Sequence, residues 1–229
     1  MILKENEKMK KPVLDKQIFD ISIGVLLGDA SIQRNTSKRE EKHRLKFLQG
    51  EKHAPYLYHL YNCYTDLAIS KPFLNKKRRC ISFQTLFDVK FNCLADIFFK
   101  KDIQSVERGK KLDLSYFSKN ALSPCSLAYW FMDDGGKLSY KKDWERKGLV
   151  FNTQGFSRAE VETLCKNVSE NYSINCWVKE NKEKPIIAIS GLCSKKLVSA
   201  FFEHMHPTML YKLPKNLLEE LFEEKKGNL

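Results

Sequence analysis

Two aspartates, Asp29 in "ISIGVLLGDA" and Asp134 in "SLAYWFMDDGG", each close an apolar run and stand just before small residues. A carboxylate at the C-terminal end of a helix opposes the helix dipole, at a cost of about 0.3–1 kcal/mol. Two such carboxylates brought close together also repel, which raises the pKa of one of them unless a cation lies between. A divalent metal removes both penalties. Mg2+ suits the pair because it takes oxygen ligands, keeps several waters and commonly binds one or two carboxylates together with substrate phosphate. Asp29 and Asp134 are therefore the candidate metal ligands. Asp133 has Gly28 in the corresponding place of the first run and reads as a local partner of the pair.

The elements that must position these acids occur twice. From Asp29 to Asp134 is 105 residues, and from Gln49 to Gln154 is the same distance. Each copy reads α-β-β-α-β-β-α. The first has an apolar helix over about 17–29, the alternating strand "RLKFLQ", the helix "APYLYHLYNCYTDLAI", strands in "PFLNKKRRCISFQT" and the helix "FDVKFNCLADIFFKK". The second has an apolar helix after Pro124, strands around "GLVFNTQ", the helix "SRAEVETLCKNVSENY", strands in "INCWVKENKEKPIIAIS" and the helix "SKKLVSAFFEHM". Ser123 is a good N-cap and Pro124 suits the first helical position. Gly135 and Gly136 are expected to stop that helix in the left-handed conformation. Gly24 and Gly28 permit close approach along one side of the first helix, so two apolar helices packed in the same direction would bring their acids together. The chain divides into an N-terminal extension 1–16, a first half 17–101, a linker 102–120 and a second half 121–229 with a last acidic helix, "NLLEELFEEKK".

Forty Lys and Arg against 28 Asp and Glu leave a net charge of +12, which points to a polyanionic partner. No apolar run approaches the ~18–20 residues that span a bilayer, so no membrane is expected. The N-terminal "MILKENEKMKKPVLDKQ" mixes Lys with Glu and reads as neither a secretory signal nor a transit peptide. Seven dispersed cysteines without a CxxC pair suit reduced thiols in an intracellular protein. His204 and His206 in "HMH" have no nearby Cys partners and read as an exposed helix end rather than a zinc site.

The runs "SIGVLLGDA" (22–30) and "LAYWFMDDG" (127–135), each with aspartate in its eighth place, resemble the two motifs of the single-chain LAGLIDADG homing endonucleases, notably those encoded by mitochondrial mobile introns. "NTQGF", "KEKPIIAI" and "MLYKLP" extend the likeness over roughly 17–216. The resemblance implies an α+β fold of two pseudo-symmetric αββαββα halves, with the motif helices packed at the interface and a saddle-shaped antiparallel sheet over duplex DNA. It implies Asp29 and Asp134 as catalytic metal ligands, the carbonyls of Ala30 and Gly135 as backbone ligands, Mg2+ as the metal with Mn2+ as substitute, and cleavage of both strands of a long, asymmetric target. A lysine beside each cleaved phosphate is implied too: Lys212 in "YKLP", and Lys111 in "GKKLDLSYF" with Lys110 as its competitor. Gln49 and Gln154 resemble residues that order water around the metals; as strand-end residues they could equally contact the groove. Tyr129 at the place of Gly24 makes the halves unequal, as suits a target that is not a palindrome.

One chain supplies both halves, so a monomer is expected. Richness in Lys, Asn and Ile hints at an AT-rich gene, and with the missing transit peptide it suggests a mitochondrion or chloroplast. Two other functions share the fold: an RNA maturase that assists splicing of its intron, and a regulator that binds DNA without cutting. The retained acids and Lys212 favour cleavage.

The placement of the basic residues fits a strand-borne interface. In "RLKF", Arg44 and Lys46 alternate with Leu45 and Phe47, which puts both charges on one sheet face. Arg34, Arg44, Arg78, Gln84, Asn152 and Lys179 are candidates by type for base edges. Lys38, Arg39, Lys46, Lys76, Lys77, Arg79, Lys137, Lys141, Lys142, Lys182 and Lys184 join them as expected DNA contacts, able to supply salt-dependent affinity for phosphate.

Overall fold

Local signals set the helix starts. Asp15 accepts from the backbone N–H groups of Gln17 and Ile18 and opens α1, Lys16–Leu27; Ser123 caps α5, Pro124–Asp134, by accepting from Ser126 N–H at 3.1 Å. A computed structural model of the chain describes residues 13–35, 40–99, 110–138 and 148–227. The first half continues with β1 Ser31–Arg34, β2 His43–Gly50, α2 Ala54–Cys63, β3 Phe73–Asn75, β4 Cys80–Gln84 and α3 Asn92–Phe98. After α4, Leu114–Lys119, and α5, the second half continues with β5 Gly135–Leu138, β6 Gly148–Phe151, α6 Arg158–Tyr172, β7 Cys176–Asn181, β8 Lys184–Ile189 and α7 Gly191–Phe201, and α8, Lys215–Gly227, follows. Both halves thus repeat αββαββα.

Each half folds into one four-stranded antiparallel sheet, in the order β1-β2-β4-β3 and β5-β6-β8-β7. Period-2 alternation sorts the faces of β2: Leu45, Phe47 and Gln49 are buried, while Arg44, Lys46 and Leu48 look outward. One continuous apolar core joins both halves, with Trp130, Phe131 and Phe151 on one side and Tyr56, Phe47 and Phe98 on the other. The second sheet carries an extra apolar cluster, Leu138, Val150, Ile186 and Ala188, with Trp177 packed against it.

Several expected helices are shorter than their sequence pattern. The second helix stops at Cys63 because the Thr65 hydroxyl donates to the carbonyls of Tyr61 and Asn62, competing with the helix ladder. Asp88 accepts from Lys90 N–H and starts a short 3-10 turn, which delays α3 to Asn92. The end of the expected linker is built into the second half: Phe117 of α4 is fully buried, Leu112 N–H donates to Glu160 at 2.7 Å, and Asn167 of α6 bonds the Asn120 carbonyl at 2.8 Å.

Helices α1 and α5 form the seam. A Cβ on Gly24 would lie 2.8 Å from Tyr129 Cβ and 3.1 Å from Trp130 N, so only glycine admits the partner helix here. The Ser126 hydroxyl donates across the seam to the Asp20 carbonyl at 2.8 Å. Gly135 is extended, at φ −75° and ψ 160°, not left-handed as expected. Its lack of a side chain serves space, because a Cβ there would run into Phe131.

Candidate active site

The two motif helices deliver Asp29 and Asp134 to the same end of the seam, and the junction is asymmetric. Asp133 enters the space left by Gly28, where an added Cβ would sit 2.6 Å from Asp133 Oδ2. Its Oδ2 accepts from Asp29 N–H at 3.2 Å and its Oδ1 from Gln49 Nε2 at 3.1 Å. Gln49 Nε2 also donates to Asp29 Oδ2 at 2.9 Å. The buried Gln49 amide therefore bridges an acid from each half. Asp29 itself is exposed, and Asp133 and Asp134 are half-buried.

Two lysines brace the helix ends. Lys110 Nζ donates to the carbonyls of Leu26 and Gly28, both at 2.6 Å, and of Ala30 at 3.1 Å. Lys212 Nζ donates to the Asp133 carbonyl at 2.5 Å. A cation at a helix C-terminus satisfies carbonyls that have no partner in the ladder and offsets the dipole. Of the two first-half lysines considered, Lys110 is the one that reaches the end of the first motif helix. Lys111, the sequence candidate, is exposed and uses its backbone N–H to pair with the Phe98 carbonyl. Adjacent residues on extended chain point to opposite sides, so only one of the two can face the acids.

The electrostatics follow from crowding. Burial and the negative charge of Asp29 lift Asp134 to about 7, although Lys110 and Lys212 oppose the rise. Asp133 is raised well above the ordinary carboxylate range by burial and by Asp29. Burial holds both lysines below their usual value, while the three aspartates pull them back up. Among the described residues, no group of three or more His, Cys, Asp or Glu side chains is arranged to hold a metal ion.

Gln154 does not repeat Gln49. It is exposed and bonds Asn152 at 3.4 Å. The cause is register: Ser31 lies opposite Lys46, but Gly136 lies opposite Val150, so the second hairpin is one residue shorter. A one-residue slip turns every side chain to the other face. Thr153 occupies the buried position instead and donates to the Pro185 carbonyl at 2.8 Å. Asn152, expected at a base edge, spends both its backbone N–H and its amide on the Asp134 carbonyl, each at 2.9 Å.

The other expected contacts lie on the outward sheet faces and hairpin tips. Arg44 Nε donates to Gln33 at 2.9 Å and its guanidinium stands 4.4 Å over Phe87. Lys46 and Gln84 lie opposite each other. Lys76, Lys77, Arg78 and Arg79 are exposed in the β3–β4 turn, with Arg79 at φ 49°. Lys182 and Lys184 stand at the β7–β8 turn, Lys179 is on β7, and Lys137 is exposed on β5. Arg34 pairs with Glu41 at 3.2 Å, which neutralises it locally. Lys38, Arg39, Lys141 and Lys142 lie outside the described residues. His206 bonds Thr208 at 2.7 Å and packs 4.9 Å from the His59 ring, in an aromatic cluster between the halves, whereas His204 stands half-buried at the end of the 3-10 turn Phe202–His204. The seven cysteines are free.

Two repeated αββαββα units, fused through paired helices whose ends present acids and lysines beside two antiparallel sheets, define the two-motif class of this α+β fold. Residues 19–197 match the LAGLIDADG DNA endonuclease family, and the chain belongs to it. It is 33% identical over 207 residues to the probable intron-encoded endonuclease 1 of Wickerhamomyces canadensis, covering 90% of this chain and 87% of that protein. It is 31% identical over 216 residues to the cytochrome b mRNA maturase bI2 of Saccharomyces cerevisiae, covering 87% of this chain and 48% of that protein. Among solved structures, the homing endonuclease I-WcaI bound to its DNA recognition sequence superimposes with a TM-score of 0.74 at 32% identity, covering 93% of this chain and 95% of that one.

Proposed function

We propose that this chain is a homing endonuclease that cuts both strands of a long, asymmetric duplex by metal-dependent phosphodiester hydrolysis, acting as a monomer and promoting mobility of its intron. The observation that carries the reading is the meeting of Asp29 and the Asp133–Asp134 pair at abutting helix ends, with a lysine braced against each end. The intron-encoded relative and the DNA-bound I-WcaI support the substrate, and the basic hairpin tips supply its phosphate contacts. An organellar intron, mitochondrial before chloroplast, is the proposed source.

The donor set fits a divalent cation. Burial, and after it the charge of Asp29, lift Asp134 to about 7, and the second of these is the repulsion that a cation relieves. The donors are oxygens, which suit Mg2+, with Mn2+ as substitute, better than zinc. Asp29 and Asp134 would hold the metal, with the Gly135 carbonyl as a further ligand and the Ala30 carbonyl as another once the Lys110 ammonium, 3.1 Å from it here, turns to the phosphate. Bound there, it would polarise the scissile phosphate and lower the pKa of an attacking water. Gln49 fixes the Asp29 carboxylate through its amide. Asp133 fixes the backbone at Asp29. Lys110 and Lys212 bring positive charge to the two phosphates, where charge builds in the transition state.

The test is to incubate the protein and its Asp29→Asn and Asp134→Asn variants with a randomised-site plasmid library and Mg2+, then sequence new ends. Discrete double-strand cuts lost in both variants support the reading. The similarity to the yeast maturase favours one second reading, splicing assistance. Intact duplex in all three proteins, with intron RNA bound, would replace the first reading with it.

A further inference from the structure

The outward face of the first sheet is not uniformly polar. Leu48 lies opposite Ser82, and Phe73 lies opposite the same Ser82 from the other side, so the three form one row across β2, β4 and β3. Leu48 is 48% exposed and Phe73 67%. An isolated exposed apolar residue is unremarkable on a protein surface. Here two stand in one row, on the face that carries Arg44, Lys46 and Gln84, and next to the exposed run Lys76–Arg79. No core residue needs them there, since Leu45, Phe47, Ile81 and Phe83 fill the opposite face. The matching row of the second sheet, Val150, Ala188 and Trp177 across β6, β8 and β7, is largely buried in its own apolar cluster and so offers no comparable exposed pair.

An apolar pair inside a basic rim needs a partner that is anionic at its edges and apolar at its centre. The DNA major groove meets that description where thymines face it, because the thymine C5 methyl is the apolar feature of the groove floor. We propose that Leu48 and Phe73 are specificity-determining residues that read thymine methyl groups in the half-site beneath the first sheet; this rests on the endonuclease reading above. Ser82 between them is small enough to let both reach the groove. Strands are about 4.8 Å apart, so the two side chains stand about 10 Å apart. At 3.4 Å per base pair they contact positions no more than roughly three pairs from each other.

The experiment uses the cleavage site recovered from the library. Each thymine of that duplex is replaced singly by deoxyuridine, which removes the methyl and leaves every hydrogen-bonding group. Binding to the full chain is measured by competition anisotropy without divalent metal, so nothing is cut. One or two neighbouring positions are expected to weaken about fourfold, the ~0.8 kcal/mol of one methyl group converted at 1.4 kcal/mol per tenfold. Leu48→Ala should abolish that loss at one position and Phe73→Ala at the other, with thymine and uracil then bound equally. A thermal melt of each variant establishes that it is folded. Uracil tolerated throughout by the wild type, or a loss that persists in both variants, overturns the proposal while leaving the endonuclease reading intact. A wild-type protein that holds no duplex overturns both.

Discussion

Replacing Lys110 by methionine separates what this lysine does for stability from what it does for chemistry. Methionine keeps an unbranched apolar stem and removes the ammonium that donates to the Leu26, Gly28 and Ala30 carbonyls. Hydrogen bonds from a charged group contribute about 1.5–3 kcal/mol each, and desolvating an ammonium costs several kcal/mol. The direction of the lysine's pKa decides between them. Burial is the largest influence and holds Lys110 below its ordinary value, so the charged form is less favoured in the folded protein than in the unfolded chain. For a base with a depressed pKa, the stability it contributes is present only above the unfolded pKa and is lost as pH falls through the folded one. At neutral pH the charge is therefore a burden, which offsets the lost hydrogen bonds. Lys110→Met is expected to change unfolding free energy by no more than about 1 kcal/mol. Cleavage behaves differently, since removing one preorganised electrostatic group costs about 2.7–4 kcal/mol, a 10²–10³-fold fall in rate. Lys111→Met, exposed and one residue away, should leave stability within about 0.5 kcal/mol and cutting unchanged. Urea denaturation and single-turnover cleavage of the recovered site give both numbers. A Lys110→Met protein that cuts within threefold of wild type, or a Lys111→Met protein that loses as much, refutes the assignment.

Burial and the Asp29 charge raise the Asp134 carboxyl from its ordinary 3.8 to about 7 in the folded state. A raised carboxylate pKa means stability fully present below pH 3.8 and lost as pH rises through about 7. Melts in chelator should therefore show a falling Tm over that window, flatter in Asp134→Asn, and Mg2+ should restore it at neutral pH. Gly24→Ala gains about 0.5–1 kcal/mol in helix propensity but pushes a methyl group to 2.8 Å from Tyr129 Cβ; overpacking of this kind costs about 1–3 kcal/mol, so urea melts should show a net loss. Gln49→Ala should slow cleavage, whereas Gln154→Ala should leave it unchanged, because only Gln49 reaches an acid. Equal effects in the two variants would contradict the difference in register.

The repeated element order and the approach of the helices at Gly24 were legible because they depend on local patterns: cap residues, apolar periodicity and a small residue at a contact. The acids were legible for the same reason, since each ends an apolar run. What escaped was set by pairing across the fold. An offset of 105 residues equates Gln49 with Gln154, yet the second hairpin is one residue shorter, so sequence spacing and spatial equivalence part there. Asp133 was underrated because its role depends on a missing side chain 105 residues earlier; Gly28 opposite an acid was the available signal. The choice between Lys110 and Lys111 turns on which way one extended residue faces, and no spacing rule reaches that. Helix ends moved where hydroxyls and carboxylates captured backbone groups, as Thr65 and Asp88 do.

The fit of Asp133 into the space above Gly28 makes the two halves a lock and its key. Pairing two first halves would leave an empty socket at the seam, with neither Asp29 backbone held. Pairing two second halves would force two carboxylates into one place, each already reluctant to ionise. Neither half can therefore revert to a symmetric homodimer without first changing its seventh motif residue. Within one chain the mismatch is an asset: each half is free to face a different DNA sequence while the socket and its filler keep the two in one fixed pairing.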